Sequence, residues 1–393
     1  MNNWLYLFTL VTVYYRLILI LLQVVVMFTP AFSQLNNTSF YNTRSLDSSR
    51  NQVLYLGLDL FQFTKNNEYF LHIADGYTLF GFQFAPYLSY YPSEKVRIDA
   101  GIYLQKDFGN DDFSEIAPLL TVEFELGPFR QIFGNLESSL NHRYIEPLYD
   151  FERVMKDRLE TGMQTKLETD NVFLDMWINW ETMIYRNDPN QEELSGGISF
   201  YFDKKWDHHL LRFPLQFIAY HQGGQIDDNP DPITILWNSA AGISYSYTFA
   251  PDSWIKSIHS DNYYLYYENF TPSRSLTFND GDGWYLNLSI ATKIDVEFMT
   301  SYWLGREFIT IKGGALYPSV SSTVHHPDNV EARRELLMFR FLHNLKIMDA
   351  MTYSARFEPY YDLGNSKWEY SFGFYLNYYT DFYLSHTKGK SSK

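Results

Sequence analysis

Cysteine is absent from the 393-residue chain. That excludes a disulfide scaffold, an iron–sulfur or thiolate-zinc site, a cysteine nucleophile and the lipid-bearing cysteine of a lipoprotein. Basic residues are scarce, 31 Lys and Arg against 46 Asp and Glu, for a formal net charge of −15. A nucleic-acid partner requires cations to neutralise its phosphates, so no nucleic acid is expected. Glycine (21) and proline (15) are too few for a low-complexity or collagenous chain. Beyond the N-terminus no apolar run is long enough for a membrane helix. What the chain holds in excess is rings: 33 Tyr, 32 Phe and 9 Trp make it 19% aromatic.

Between Trp4 and Gln34 the only charged residue is Arg16, and the apolar run Leu17 to Phe28 is followed by Pro30, Ala31, Phe32 and Ser33. An apolar core ending in a small-x-small pattern reads as a signal peptide over residues 1–33, cut after Ser33. An uncleaved anchor is the alternative, because the whole stretch is long enough to span a bilayer.

In an exported chain without further membrane helices, bilayer crossing is left to a closed β-barrel, which shows period-two alternation over about ten residues per strand. Residues 95–105 set Val96, Ile98, Ala100, Ile102 and Leu104 against Lys95, Arg97, Asp99 and Gln105. Residues 120–127 set Leu120, Val122, Phe124 and Leu126 against Glu123 and Glu125. Leu174, Met176, Ile178 and Trp180 oppose Asp175 and Asn179, and Trp368, Tyr370, Phe372, Phe374, Leu376 and Tyr378 oppose Glu369, Ser371 and Gly373. Such runs exceed the usual strands of a soluble sandwich. Short connections (91–95, 126–129, 168–171, 204–208, 250–256, 293–295, 346–350) alternate with long polar ones (64–77, 107–115, 138–158, 186–193, 221–233, 271–282, 305–335, 362–367). Seven turns interleaved with eight loops imply an all-β, antiparallel barrel of about 16 strands with both termini on the turn side.

On these features, residues 50–385 resemble a porin-like outer-membrane β-barrel of Gram-negative bacteria. The resemblance implies localisation in the cell outer membrane, short periplasmic turns, long extracellular loops, and contact with outer-membrane lipid, lipopolysaccharide and the barrel-assembly machinery. Residues 34–51 are then a periplasmic N-terminal segment, 52–385 the barrel and 386–393 a polar tail. That tail departs from the many such barrels that end on an aromatic residue. The ring excess also acquires a place, since Tyr and Trp suit the two headgroup-level girdles of a barrel.

A lumen of this size holds water unless something fills it. Pore-lining candidates are Lys95, Arg97, Asp99, Glu123, Glu125, Asp175, Asn179, Arg340, Asn344, Arg356 and Glu358. Both signs occur, which suits either a wet pore or interstrand ion-pair ladders and argues against a phosphate-selective ring of cations. Residues 146–160 (EPLYDFERVMKDRLE) put Leu148, Phe151, Met155 and Leu159 on one helical face. Loop 138–158 is therefore expected to carry a helix that narrows the mouth or lies on the rim, and loop 305–335 is the other candidate constriction.

Hydrolytic signals are confined to Ser138, Ser139 and His142, in a polar loop without a recognised hydrolase motif. No metal or cofactor site stands out, since adjacent histidines such as His325 and His326 point to opposite faces of a strand. The expectation is a non-enzymatic channel for small hydrophilic solutes, its bore set by the two long loops. The rivals are an outer-membrane lipid hydrolase, such as a lipase or lipid A deacylase, and a plugged structural or secretion-partner barrel. The sequence leaves oligomeric state open.

Overall fold

The computed structural model describes residues 37–41, 46, 49–224, 226–273 and 276–386. The expected signal peptide, most of the polar tail and the side chain of Ser139 lie outside that set. Sixteen antiparallel strands close into one barrel. They are β1 Val53–Glu68, β2 Thr78–Ser93, β3 Val96–Asp107, β4 Glu115–Leu126, β5 Phe129–Asn135, β6 Thr161–Glu168, β7 Val172–Thr182 and β8 Glu193–Trp206. The second half comprises β9 His209–Gln222, β10 Thr234–Thr248, β11 Ile255–Asn269, β12 Asp280–Thr292, β13 Val296–Arg306, β14 Arg333–Met348, β15 Met351–Asp362 and β16 Lys367–His386. Closure is made by β1 on β16, paired from Val53 opposite His386 to Glu68 opposite Tyr370 with one register shift between Leu54 and Tyr55. No sheet edge is left to be hydrated, which is the condition for crossing hydrocarbon with strands.

The alternation places side chains as the sequence implies. On β3, Arg97, Asp99 and Gln105 are buried inward while Ile102 is exposed outward. On β7, Asp175 and Asn179 are buried and Met176, Ile178 and Trp180 are exposed. On β16, Glu369 and Ser371 are buried whereas Trp368, Tyr370 and Phe374 face out. An exterior of exposed Leu, Ile, Phe and Trp on a closed cylinder is a lipid-facing surface; in water it would be a vast apolar patch. The chain is thus an outer-membrane type of β-barrel, with the short turns at one end and the long loops at the other.

Two of those loops turn inward. Residues 136–160, here L3, cross the lumen, and residues 307–332, here L7, pack on top of them. They join through their backbones: Asp150 N–H donates to Lys312 O (2.8 Å) and Gly314 N–H to Glu146 O (3.0 Å). The Thr310 hydroxyl also donates to Pro147 O (2.7 Å). The expected helix shrinks to one turn, α1 Arg153–Lys156. Of its four apolar positions Leu148, Phe151 and Met155 are buried at 0–2% exposure and Leu159 is half-buried. Before α1 the Asp150 N–H bonds Lys312 O of L7, while the Leu148 and Tyr149 N–H groups both bond Ile145 O in an isolated turn of L3.

From the short-turn end the N-terminal segment also enters the lumen. Phe40 sits edge-on to Phe151 and Tyr375, with ring centroids 5.1 Å from each. The Arg356 guanidinium lies over both Phe40 (4.6 Å) and Phe151 (4.1 Å) and donates to Asn37 Oδ1 (2.7 Å). Ser39 donates to Asn344 Oδ1 (3.1 Å). The segment and L3 therefore share one aromatic cluster. Phe40→Ala is expected to weaken the seating by about 3–5 kcal/mol, the usual loss for a buried phenylalanine. Limited trypsin digestion in detergent should then trim the N-terminus much faster than in the wild type; equal rates would show that the segment is not held by this ring.

Candidate functional site

Inward side chains and plug loops meet in three places. The first is His142, in L3. Its ring is fully buried, with Nδ1 2.8 Å from Asp175 Oδ2 and Nε2 2.8 Å from Glu160 Oε2. It stacks on Trp177 (centroids 4.6 Å). Gln164 Nε2 closes the cluster onto both Asp175 oxygens (2.9 Å). Burial alone would lower the His142 pKa, but the Asp175 and Glu160 carboxylates win and push it up to about 9. Burial would raise Glu160, and the His142 charge holds it down to about 2. The three groups, His142 between Asp175 and Glu160, form a clamp that ties L3 to the wall.

Of the serines that neighbour His142 in the sequence, Ser138 has its hydroxyl engaged elsewhere. Ser138 Oγ donates to the Arg158 carbonyl, and both His142 nitrogens face carboxylates, so no Ser138–His142 dyad forms. Removing the imidazole would leave two buried carboxylates facing each other. His142→Ala is expected to destabilise the fold by about 3–5 kcal/mol, read as a lower Tm in detergent. The His142 contribution is complete below the unfolded pKa of about 6.5 and disappears as pH rises through about 9. Wild-type Tm should fall across that interval and the variant should lack the slope. A parallel pH dependence in both would show that the clamp does not carry it.

The second place is the ion-pair lattice of the lumen. Arg97 reaches Asp99 (3.2 Å) and Glu123 (2.7 Å), and Arg130 reaches Glu123 (2.6 Å). Arg340 reaches Glu358 (3.1 Å) and also Glu146 of L3, and Arg334 reaches Asp362 (3.0 Å). Of the pore-lining candidates, Arg97, Asp99, Glu123, Asp175, Asn179, Arg340 and Arg356 are buried inward. Glu358 faces the same interior, and Asn344 accepts from Ser354 (2.7 Å). Lys95 and Glu125 sit at the short-turn end, exposed and 4.0 Å apart. Most of these charges are paired with one another or with L3.

The third place opens to solvent at the long-loop end. A groove of about 780 Å³ lies between the β1–β2 connection and L7. Asn66, Asn67, Glu68, Asp75, Thr78, Thr323 and His326 give it a polar lining. Its lips are apolar, with Phe70 75% and Val324 80% exposed. Thr78 donates to Asn66 Oδ1 (2.6 Å), and the Asn66 amide donates on to Glu68. His72 and His326 stack with centroids 4.0 Å apart. Beneath the groove, and sharing Tyr69, Asp75 and Tyr77 with it, is a chamber of about 60 Å³ that also reaches Lys65, Asp150, Glu152, Arg340 and Glu358. Sequence reasoning missed this site, because its residues come from β1, L3, L7, β14 and β15. Among the described residues no cluster of three or more His, Asp and Glu suits a metal ion.

A family model described as Lipid A 3'-O-deacylase-type matches residues 46–387. The chain belongs to this family. The expectation of a non-enzymatic barrel is corrected by that match, because the deacylase family is a family of enzymes. The alternation of polar and apolar residues reports membrane placement whether or not a barrel is an enzyme, so it could not carry the distinction. No curated protein matches the sequence. Among solved structures, the chain is similar to a loop L8 deletion mutant of OmpT, an outer membrane protein of Vibrio cholerae. Identity is 12%, coverage 82% of this chain and 99% of that one, and the TM-score 0.49. It is also similar to the outer membrane protein OprD of Pseudomonas aeruginosa (10% identity, 88% and 98% covered, TM-score 0.49). A third is OccK2 of Pseudomonas aeruginosa, solved in complex with glucuronate (9% identity, 86% and 100% covered, TM-score 0.48).

Proposed function

We propose that this barrel hydrolyses acyl esters of a lipid A-class glycolipid, at the groove on its long-loop end. The observation that carries the reading is the form of that groove: a polar floor between exposed apolar lips, at the end of a barrel whose family is the deacylase type. An acylated saccharide has that same division, hydroxyls and phosphates next to hydrocarbon. Loops at the long end of such barrels face the cell exterior, where the outer leaflet presents this class of lipid. The interior serves as support: L3, L7 and the N-terminal segment occupy it and hold the groove's inner wall in place. The lipid, lipopolysaccharide and assembly-machinery partners belong to this proposal.

Lipid A from a Gram-negative host expressing the chain should lose an ester-linked acyl group relative to a host carrying an empty vector, as read by mass spectrometry. An unchanged acylation pattern at confirmed outer-membrane expression would refute the reading.

Passage of small hydrophilic solutes is a second reading, favoured by the charged inner wall. It requires the plug to move, because L3 spans from Gln83 and Gln105 on one side to Gln216 and Arg340 on the other. In planar bilayers the wild type should seal, and a chain lacking residues 139–158 should conduct in steps. Steady wild-type conductance would favour the solute channel.

A further inference from the structure

We propose that Arg356 is a carboxylate-binding site inside the lumen and that the N-terminal segment is its displaceable occupant. Arg356 is buried at 3% exposure on the inward face of β15. Lys65, Arg97, Lys166, Lys312, Arg334 and Arg340 are buried too, and each of them pairs with a carboxylate. Arg356 pairs with none among the described residues. Glu358, two residues along the same face, is held by Arg340 (3.1 Å) and Lys65 (3.7 Å). The Arg356 guanidinium donates one hydrogen bond, from Nη2 to Asn37 Oδ1 (2.7 Å), while Nε and Nη1 meet no acceptor among the described residues. Its charge is met instead by the ring faces of Phe40 (4.6 Å) and Phe151 (4.1 Å). A buried cation without a counter-ion is costly, so the site favours an anion over the neutral amide it holds.

The segment keeps its place through side chains. Phe40 closes a 3₁₀ turn, Thr38–Phe40, and Asn37 precedes it. Among the described residues no backbone–backbone hydrogen bond ties this turn to the barrel, whereas L3 and L7 are joined through their backbones. The Ser39 hydroxyl donates to Asn344 Oδ1 (3.1 Å), and the Ser39 carbonyl accepts from Asn377 Nδ2 (2.9 Å). Asn37 and Phe40 thus present Arg356 with an acceptor oxygen at Nη2 and a ring over its face. A monocarboxylate on a flat apolar body presents the same two features and adds a negative charge. Nη2 shares one edge of the guanidinium with Nε and another with Nη1, so a carboxylate there accepts two parallel bonds where the amide accepts one. Such charge-assisted bonds are roughly twice as strong as neutral ones. The segment enters from the short-turn end, and its departure clears the path along which it came. The ligand class is therefore an aromatic monocarboxylate arriving from the short-turn end, with the segment as an autoinhibitory plug that it displaces.

The test uses the full chain in detergent micelles, titrated calorimetrically with sodium benzoate and with benzamide as its neutral counterpart. The double variant Asn37→Ala, Phe40→Ala should bind benzoate about tenfold more tightly than the wild type or better, because a tethered occupant competes at a high effective concentration. Benzamide should bind neither. In the double-variant background Arg356→Gln should abolish the binding, and Arg356→Lys, which keeps the charge and loses the fork, should weaken it about tenfold. Linkage is reciprocal, so saturating benzoate should speed trypsin trimming of the wild-type N-terminus about threefold or more. Heat-modifiable migration of each variant confirms a folded barrel. A folded double variant that does not bind benzoate, or whose binding survives Arg356→Gln, overturns the site. Equal benzoate affinity in the wild type and the double variant overturns the role of the segment, as does trimming that benzoate leaves unchanged.

Discussion

A cylinder of sixteen strands encloses more space than its own inward side chains can occupy, and the rest of this structure follows from how that space is filled. L3 is long enough to cross it and apolar enough to be buried in it. Leu148, Phe151 and Met155 pack against wall aromatics such as Tyr285, Trp177 and Tyr375. L7 closes over L3 through backbone hydrogen bonds, and Phe40 enters from the opposite end. The plug is thus three segments from distant parts of the chain, packed on one another and on the wall.

Filling a lumen that carries charge on its wall creates an electrostatic problem, because each buried ion without a partner is costly. The solution here is to distribute partners between wall and plug. Glu146 reaches Arg340, Glu137 reaches Lys166 and Arg130, and His142 reaches Asp175. The mixed signs of the inner wall are therefore complementary to L3 as much as to each other.

Much of the fold was legible in the primary structure. Period-two alternation identified the lipid-facing and inward sets on β3, β7 and β16, and the interleaving of short and long connections implied the strand number, because a strand exposes alternate residues to solvents of opposite character. The helix expected over 146–160 reached only one turn, since its apolar spacing described burial on several sides of an irregular segment. His142 stood out as one of three polar loop residues. Its partners did not: Asp175 lies on another strand, and only the path of L3 through the lumen brings the two within hydrogen-bond distance. The groove and chamber left no local pattern at all.

The sequence by itself determined that the chain forms a barrel, which faces of its strands meet lipid and which loops are long, because each of these depends on the local alternation of polarity. Only the tertiary structure decided that the lumen is occupied, that His142 is a clamp and that a polar groove with apolar lips opens at the rim. Those outcomes depend on which distant segments share the enclosed volume, and that is settled by closure of β1 on β16 and the complementarity of L3 to the wall.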